Sequence, residues 1–373
     1  MQIADFELER YFAQHEFTTR YLLCASDVEG YAMRDLLSLA DDETLELWDR
    51  LTLGYTESAG LPALRAEVAS LYDSVRPDDV LMFAGAEEGV FLAMHSLLAP
   101  GDHAVVAWPA YQSLYEVARS LGASVTLVPL DPTQGWSLDA DAVRRAIRPN
   151  TRVVVINYPH SPTGALLARD AFDAIVDACA AGGVALFSDE VYRFLEHDAA
   201  TRLPAGVDAM DRAVSLGVMS KAFGLAGLRI GWIATRDERL RRRLAALKDY
   251  TTICNSAPSE VLALIALRAR DRVLARAMGI IAANLPLLDG FFARHRARVD
   301  WVRPVAGTVA FPRLLGADAD RFAAALIERE GVLLLPASRF GYVGSHFRIG
   351  FGRLDMRSGL ERLDRFLELE GAT

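Results

Sequence analysis

Lysine is scarce in this chain of 373 residues, and its two lysines are the first candidates for amine chemistry. Lys+Arg total 40, of which only Lys221 and Lys248 are lysine. A reaction that needs a deprotonated side-chain amine must use one of them or the N-terminus, because arginine stays protonated. Lys221 lies between the apolar stretch AVSLGVMS and the glycine-containing stretch AFGLAGLRIGW, which suits a nucleophile that forms a Schiff base. Lys248 precedes DYTT, where an ordinary interaction with a helix C-terminus accounts for it.

Three further groups of chemically useful residues follow apolar stretches that predict strands. Residues 85–87 (GAE) open a helix, where backbone N–H groups and the helix dipole suit a phosphate, although a plain turn fits as well. The segment NYPHSPTG is either a plain turn or a fixed wall for a planar ligand. Asp189 stands in the predicted strand GVALFSDEVY, as a helix cap or as the partner of a protonated ring nitrogen.

The elements that must position these residues alternate along the chain. From Pro77 to Trp232, short apolar runs alternate with longer amphipathic ones, which predicts strands, crossover helices and a mostly parallel sheet. The continuous apolar run TRVVVINYP predicts burial on both faces of that sheet. A helix is predicted over Asp139–Ile147, opened by Asp139 or Asp141 as its cap. Ligands bind beyond the carboxyl ends of such strands, so we expect the four groups in one crevice.

The last third of the sequence predicts a different layer. A long helical stretch follows Pro258, with Pro286 as a candidate kink, and connects two domains. The short strands GTVAFPRL, GVLLLPAS and HFRIGFG, with helices over Asp318–Glu330 and Arg357–Leu369, predict an α+β arrangement.

Three regions are therefore expected. Residues 1–40 form an arm that packs on the C-terminal layer or on a partner, residues 41–272 a large domain, and residues 273–373 a small domain.

Composition excludes several other classes of protein. The net charge of −9 argues against a general nucleic-acid or membrane surface. The three cysteines are scattered, without the spacing of a disulfide framework or a metal site, and fit a reducing compartment. Neither a signal peptide nor a membrane-spanning run is recognisable, so we expect a cytoplasmic protein.

The order phosphate turn, polar turn, carboxylate and lysine resembles the class I/II aminotransferases, which are pyridoxal 5'-phosphate (PLP) enzymes of fold type I. The combination of SKAFGLAGLRIGW with an upstream SDEVY and PxxPTG is highly specific, and the likeness extends from LGYTESAGLPALRAEVASLY to HFRIGFGR. The resemblance implies an α/β fold, with a large domain whose mostly parallel sheet is flanked by helices and a smaller α+β domain. It also implies PLP as cofactor, a small-molecule substrate that is an amino acid, and a homodimer with shared active sites.

The resemblance also implies roles for individual residues. Lys221 resembles the lysine that forms the Schiff base and moves a proton between Cα and C4′. Asp189 is similar to the carboxylate that keeps the ring nitrogen protonated, and Tyr192 to the tyrosine that binds the phenolic oxygen. The other residues that resemble cofactor ligands are Tyr111, stacked on the ring, Asn157 and Ser161 in the polar turn, and Gly85, Ala86, Glu87, Ser220 and Arg229 around the phosphate.

Further roles concern the substrate and the partner subunit. Tyr55 resembles the tyrosine that reaches the partner's phosphate, and Thr252 is a candidate to line the partner's substrate pocket. Arg348 resembles the arginine that binds the α-carboxylate at two points. Two residues depart from the family pattern: Ser161 stands where asparagine is usual, and Val218 where serine often contributes to the phosphate site.

Three functions compete. The first is transamination. The second is elimination or cyclisation, because ERYFAQHEF, ASDVEGYAMRDLL, NYPHSPTG and LKDYTTICNSAP resemble the capreomycidine synthase subgroup, whose members eliminate a hydroxyl from a hydroxylated arginine and close a guanidine ring. For such a basic substrate, Glu16, Asp27 and Glu29 are candidate acidic contacts. The third is a ligand sensor without catalysis, which the negative charge and the expected lack of an upstream DNA-binding domain disfavour.

Overall fold

A seven-stranded sheet lies at the centre of the chain, for which a computed structural model describes residues 2–370. The strands in chain order are β1 (Tyr21–Leu22), β2 (Val80–Phe83), β3 (His103–Trp108), β4 (Ser124–Pro129), β5 (Thr151–Asn157), β6 (Ala185–Asp189), β7 (Ala213–Val218), β8 (Gly231–Ala234), β9 (Val299–Asp300), β10 (Val309–Ala310), β11 (Arg313–Leu314), β12 (Val332–Leu333), β13 (Leu335–Pro336) and β14 (Phe347–Gly350). The sheet has the order β2-β8-β7-β6-β5-β3-β4, and β8 alone runs antiparallel to its neighbours. The predicted mostly parallel sheet is confirmed.

Helices flank this sheet and build the second layer. They are α1 (Glu7–His15), α2 (Met33–Leu37), α3 (Asp42–Asp49), α4 (Pro62–Ala69), α5 (Ala86–Leu97), α6 (Ser113–Ser120), α7 (Ala140–Ala146), α8 (Arg169–Gly182), α9 (Gly206–Ala209), α10 (Glu238–Lys248), α11 (Ala257–Arg268), α12 (Arg270–Arg294), α13 (Ala319–Glu330) and α14 (Met356–Glu370). The helix predicted over residues 139–147 is α7, and Asp139 caps it by accepting from the backbone N–H of Asp141.

Both faces of the sheet are buried, as its continuous apolar runs predict. Val153 and Val155 of β5 pack in one cluster with residues of α5, α6 and α10. Val154 and Ile156 of the same strand point to the other face, where α7 and α8 cover them. Each such side chain contributes about 1.5–3 kcal/mol on burial, so the sheet is a rigid base for the loops at its edge.

The structure corrects several predicted boundaries. The strand predicted over GVALFSDEVY ends at Asp189, because the chain turns there and the backbone N–H of Val191 bonds back to the Asp189 carboxylate. The strand predicted over AVSLGVMSK ends at Val218, since a loop follows in which Leu225 N donates to the oxygen of Met219. Strand β8, only four residues long, is absent from the prediction. The single helical stretch after Pro258 is broken at Ala269 into α11 and α12.

The second layer contains the antiparallel strands β10, β14 and β13, together with α13 and α14. The N-terminal segment reaches this layer, because β1 pairs parallel with β12 and Gly350 N donates to the oxygen of Leu23. The expected boundary between residues 272 and 273 falls in the first turn of α12. Pro286 lies inside this helix.

Helix α12 has 25 residues, and its length and apolar composition would allow it to cross a bilayer. Its buried side chains, among them Ile281, Leu288 and Phe291, belong to a core cluster with residues of α4, α11 and α14. Its Asn284 donates to the backbone oxygens of Phe351 and Arg353. These contacts are those of a core helix.

Candidate active site

The carboxyl ends of β5, β6 and β7 lie side by side and bring the predicted residues to one edge of the sheet. Asn157 is in register with Asp189, and Asp189 is in register with Leu216. Lys221 follows the end of β7 by three residues. The sheet topology therefore places a carboxamide, a carboxylate and an amine in neighbouring positions, as the sequence predicts.

The amine of Lys221 contacts the N-terminal segment. Its Nζ donates to the Oγ atom of Ser26 over 2.8 Å and lies 5.7 Å from the centre of the Tyr192 ring. The backbone oxygen of Ser26 accepts from the Tyr192 hydroxyl (2.7 Å) and from Thr308 Oγ1 (2.8 Å). Sequence reasoning missed Ser26, because a serine in a short loop carries no pattern that separates it from ordinary turn residues.

Asp189 is only 6% exposed, and burial raises the pKa of its carboxyl to about 7, against the effects of the Val191 N–H and the Lys221 charge. The Nδ2 group of Asn157 donates to the backbone oxygen of Asp189 over 3.0 Å, and Asn157 Oδ1 accepts from Ser161 N over 2.9 Å. Asn157 thus joins the polar turn to the carboxylate strand. Burial leaves the carboxylate unstable without a cationic partner, and a protonated ring nitrogen would supply one.

The turn at Gly85 forms a cradle with the loop before β8. Gly85 has a φ of 88°, in the region that favours glycine, and is the N-cap residue of α5. A Cβ atom at Gly85 would lie 2.6 Å from a guanidinium nitrogen of Arg229, and one at Gly231 would lie 2.7 Å from the Gly85 carbonyl carbon. The N-terminal turn of α5 and a guanidinium therefore lie against each other, which fits the phosphate of the implied cofactor. Ser220, the third predicted contributor, is half-buried.

Glu87 lies in the first turn of α5, and its carboxyl binds Ser113. The Ser113 hydroxyl donates to its Oε2 over 3.1 Å. Burial raises the pKa of Glu87 to about 7, and the negative charges of Glu9 and Asp189 add to the shift.

Helix α1 covers Tyr111. The Tyr111 ring lies 5.0 Å from the ring of Phe6, and its hydroxyl donates to Glu9 Oε1 over 2.6 Å. Sequence reasoning missed Glu9, because the acids of an N-terminal arm resemble solvated surface residues.

His160 joins two turns of the site and was also missed. Its Nε2 lies 2.9 Å from the oxygen of Pro109, and its Nδ1 lies 2.7 Å from Thr163 Oγ1. A carbonyl only accepts, so Nε2 carries the proton and Nδ1 accepts from the threonine hydroxyl. Burial lowers the pKa of His160 to about 4, which keeps the ring neutral. The segment that carries Tyr111 is thereby fixed to the segment that carries Ser161.

Arg348 is buried with one guanidinium nitrogen unpartnered. It is 3% exposed, its Nε donates to the oxygen of Cys24 over 3.0 Å, and its Nη2 has no hydrogen-bond partner among the described residues. The Cζ atom of Arg348 lies 5.7 Å from the centre of the Phe12 ring and 5.7 Å from that of Phe340. A buried donor without a partner is costly, and a carboxylate would satisfy it.

The three predicted acidic contacts differ, and one of them, Glu29, has a carboxylate oxygen 3.8 Å from Arg353 Nη1. Glu16 is half-buried, and burial raises its pKa with a further contribution from the negative charge of Asp27. Asp27 itself is neutralised, because Arg353 Nη2 donates to both of its carboxylate oxygens, over 2.8 and 3.0 Å. Of the three acids, Glu16 is the one whose carboxylate has no ion pair with an arginine among the described residues, which leaves it available to a cationic group.

Two predicted residues lie outside this cluster within one chain. Tyr55 is 92% exposed, and the exposed Thr252 donates to Glu88 over 2.8 Å. Leu53, two residues before Tyr55, and Tyr250, two residues before Thr252, are exposed as well. Within residues 2–370, no group of three histidine, cysteine or acidic residues is arranged to hold a metal ion.

Known proteins resemble this chain over nearly its whole length. The family model described as "Aminotransferase class I and II" matches residues 23–363. Capreomycidine synthase of Streptomyces vinaceus is 33% identical over 96% of this chain and 93% of that protein. Arginine–pyruvate transaminase AruH of Pseudomonas aeruginosa is 30% identical over 83% of this chain and 81% of that protein. A PLP-dependent aminotransferase from Streptococcus suis has a structure that matches with a TM-score of 0.92 and 30% identity, over 99% of this chain and 98% of that one.

Proposed function

The chain belongs to the class I and II aminotransferase family of PLP-dependent enzymes, and from this premise we propose that it transfers the amino group of an L-amino acid. One observation supports the proposal above others. Lys221 and Arg348 both bind the N-terminal segment, at Ser26 and Cys24, two residues apart. The proposed amine-handling lysine and the proposed carboxylate-binding arginine are thereby both bound to one short stretch of the N-terminal segment.

The chain's own residues would divide the work as follows. When bound, PLP supplies an aldehyde that bonds to amines and a ring that draws electrons from the substrate Cα. Asp189 would hold the ring nitrogen in its protonated form, and Tyr192 the phenolic oxygen. Lys221 would hold the cofactor between turnovers and move the proton at Cα. Helix α1, which covers Tyr111, would exclude water from the substrate.

The proposed substrate has a basic side chain. Glu16 lies in the N-terminal segment, where burial raises the pKa of its carboxyl and the positive charge of Arg348 opposes that rise. Within residues 2–370 its carboxylate lacks the arginine partner that Asp27 has. The relative AruH is named for arginine. An arginine-like amino acid would place its carboxylate at Arg348 and its guanidinium toward Glu16.

A second function has specific support. Capreomycidine synthase is similar over 96% of this chain, so elimination or cyclisation of an arginine-like amino acid is the alternative outcome at the same site. The two reactions begin alike and differ in whether a group leaves from the carbon next to Cα.

One experiment separates them. The purified protein is incubated with PLP and a panel of L-amino acids, including arginine and a β-hydroxyarginine, with and without pyruvate or 2-oxoglutarate, and products are read by mass spectrometry. A keto acid that appears only with an acceptor supports transamination. Loss of water without an acceptor supports cyclisation and contradicts the first proposal.

We infer a homodimer with shared active sites. Leu53, Tyr55 and Tyr250 are 87%, 92% and 89% exposed, which is unusual for large side chains with apolar surface. A second copy would cover them and would place Tyr55 at its partner's phosphate. Light scattering should give twice the chain mass of 40.8 kDa, and the monomer mass would contradict the proposal. The three free cysteines are consistent with a cytoplasmic location.

A further inference from the structure

Lys248, the second lysine of the chain, is fully buried (0% exposed), although a lysine at a helix end normally reaches water. Burial lowers its pKa, and the negative charges of Glu88 and Glu260 oppose that shift. Its Nζ donates to the backbone oxygen of Ser58 and lies 5.8 Å from the centre of the Phe83 ring. Such a costly position needs a reason, because a long apolar side chain would fill the same space without loss of hydration.

The segment that Lys248 holds has little structure of its own. Residues 55–58 belong to no helix or strand, so their conformation depends on contacts with the rest of the chain. Ser58 follows Tyr55 by three residues. On the two sides of Ser58, Thr56 Oγ1 donates to the oxygen of Asn255 over 2.9 Å, and Leu61 N donates to Glu260 over 3.1 Å. The bond from Lys248 to Ser58 lies between these two anchors and has a cationic donor.

Segment 55–58 also carries Tyr55, which lies outside the candidate active site of its own chain. The Tyr55 side chain is 92% exposed and makes no hydrogen bond or ring contact with the described residues of its own chain. A side chain that acts on a second molecule has no packing in its own subunit to orient it. The backbone that carries it must therefore be fixed by contacts within that subunit.

We propose that Lys248 is a positioning residue that holds segment 55–58 and thereby presents Tyr55 to the active site of the partner subunit. The inference rests on the proposed shared-site dimer. Lysine suits the task because its compact ammonium donates to a single carbonyl oxygen, whereas arginine presents a broad planar fork. Lys248 would thus act in the site of the partner and Lys221 in its own.

A role within the same subunit is the competing explanation. Lys248 also lies near Phe83, two residues before Gly85 of the cradle. The adjoining residues Thr251 and Thr252 both donate to Glu88 of α5, which opens at that turn. If these contacts were what matters, Lys248 would support the phosphate turn of its own chain.

Hybrid dimers distinguish the two explanations. Subunits with Lys221→Ala and with Lys248→Met are given different tags, co-expressed and purified as the mixed dimer. The visible absorption of lysine-bound PLP then arises only from the Lys248→Met subunit, which keeps Lys221 and receives Tyr55 from a subunit with intact Lys248. We expect the Lys248→Met homodimer to bind PLP about tenfold more weakly than the wild type, and the hybrid site to regain wild-type affinity.

The matched control is Tyr55→Phe, tested as a homodimer and as a hybrid with Lys221→Ala. If the Tyr55→Phe hybrid is restored and the Lys248→Met hybrid is not, Lys248 acts within its own subunit and the inference is wrong. It is equally wrong if the Lys248→Met homodimer binds PLP like the wild type. If the Tyr55→Phe hybrid also stays weak, the shared site itself is refuted. Should Lys248→Met fail to fold, Lys248→Gln, which keeps an N–H donor but no charge, replaces it in the same comparison.

Discussion

The Nζ atom of Lys221 donates to the Oγ atom of Ser26 over 2.8 Å, so the proposed catalytic amine is bound by a residue 195 positions earlier in the chain. The same serine accepts from Tyr192 and Thr308 through its backbone oxygen. Replacing Ser26 with alanine should therefore leave the segment in place and remove only the bond to the lysine. We expect the free energy of unfolding without cofactor to fall by about 1–2 kcal/mol in urea titrations. Thr308→Val, which removes a bond to the backbone oxygen, is the control, and an unchanged stability of Ser26→Ala would mean that the lysine bond contributes nothing.

Lys221 is predicted to be the residue that holds PLP. Lys221→Ala and Lys221→Arg should both lose the visible absorption of lysine-bound cofactor, the second because a guanidinium stays protonated. Absorption spectra after incubation with PLP and gel filtration give the answer. A variant that keeps the band would show that another amine binds the cofactor.

Asp189 should make stability depend on pH. Burial raises its pKa to about 7, whereas an aspartate in an unfolded chain titrates near about 3.9. Between these values the folded protein binds more protons than the unfolded chain, so its stability without cofactor falls as the pH rises. Asp189→Asn should flatten this dependence, stabilise the apoprotein at about pH 8 relative to the wild type, and weaken PLP binding. Equal pH slopes of wild type and variant in urea unfolding would refute the assignment.

Arg348 should govern affinity for the substrate carboxylate. Arg348→Lys keeps a positive charge but loses the two-point geometry, so KM for the amino acid should rise at least about tenfold, or ~1.4 kcal/mol, while PLP affinity stays unchanged. Steady-state kinetics and a PLP titration measure the two quantities separately. If KM for the amino acid rises and the affinity for PLP falls as well, the arginine supports the fold around Cys24 instead.

Glu16 should select the basic side chain. Glu16→Gln is expected to lower kcat/KM for arginine about tenfold or more and to leave a neutral amino acid nearly unaffected, because only the cationic group loses a charged partner. Asp27→Asn is the comparison, since that carboxylate already binds Arg353. Its replacement should lower the stability of the protein and should not distinguish arginine from a neutral substrate. Equal losses for arginine and a neutral substrate would remove Glu16 from the specificity pocket.

Much of the fold follows from local pattern. The apolar runs of β5 and β6 and the capped helix α7 are predictable because burial on two faces and capping both leave marks on neighbouring residues. The ends of the strands are harder to predict from the sequence. The chain turns at Asp189 because Val191 N bonds back to its side chain, and nothing in the apolar run before it announces this bond.

The candidate site divides in the same way. Lys221 and Asp189 stand at strand ends and follow from topology. Ser26, Glu9 and His160 do not, because their contacts join segments far apart in sequence and depend on how the N-terminal segment crosses the sheet edge. The burial of Lys248 is a further case, since α10 alone presents it as an ordinary terminal lysine.

The pairing of β1 with β12 bears on how the protein is made. Leu23 and Cys24 are held by Gly350 and Arg348, and these bonds put Ser26 beside the lysine. A ribosome releases residues in order, so the first strand of the nascent chain must wait for more than three hundred further residues before its partner emerges. The central sheet can form during synthesis, whereas the lysine acquires its serine partner only near the end of translation. Assembly of the active site is thus completed only when synthesis of the chain is nearly finished.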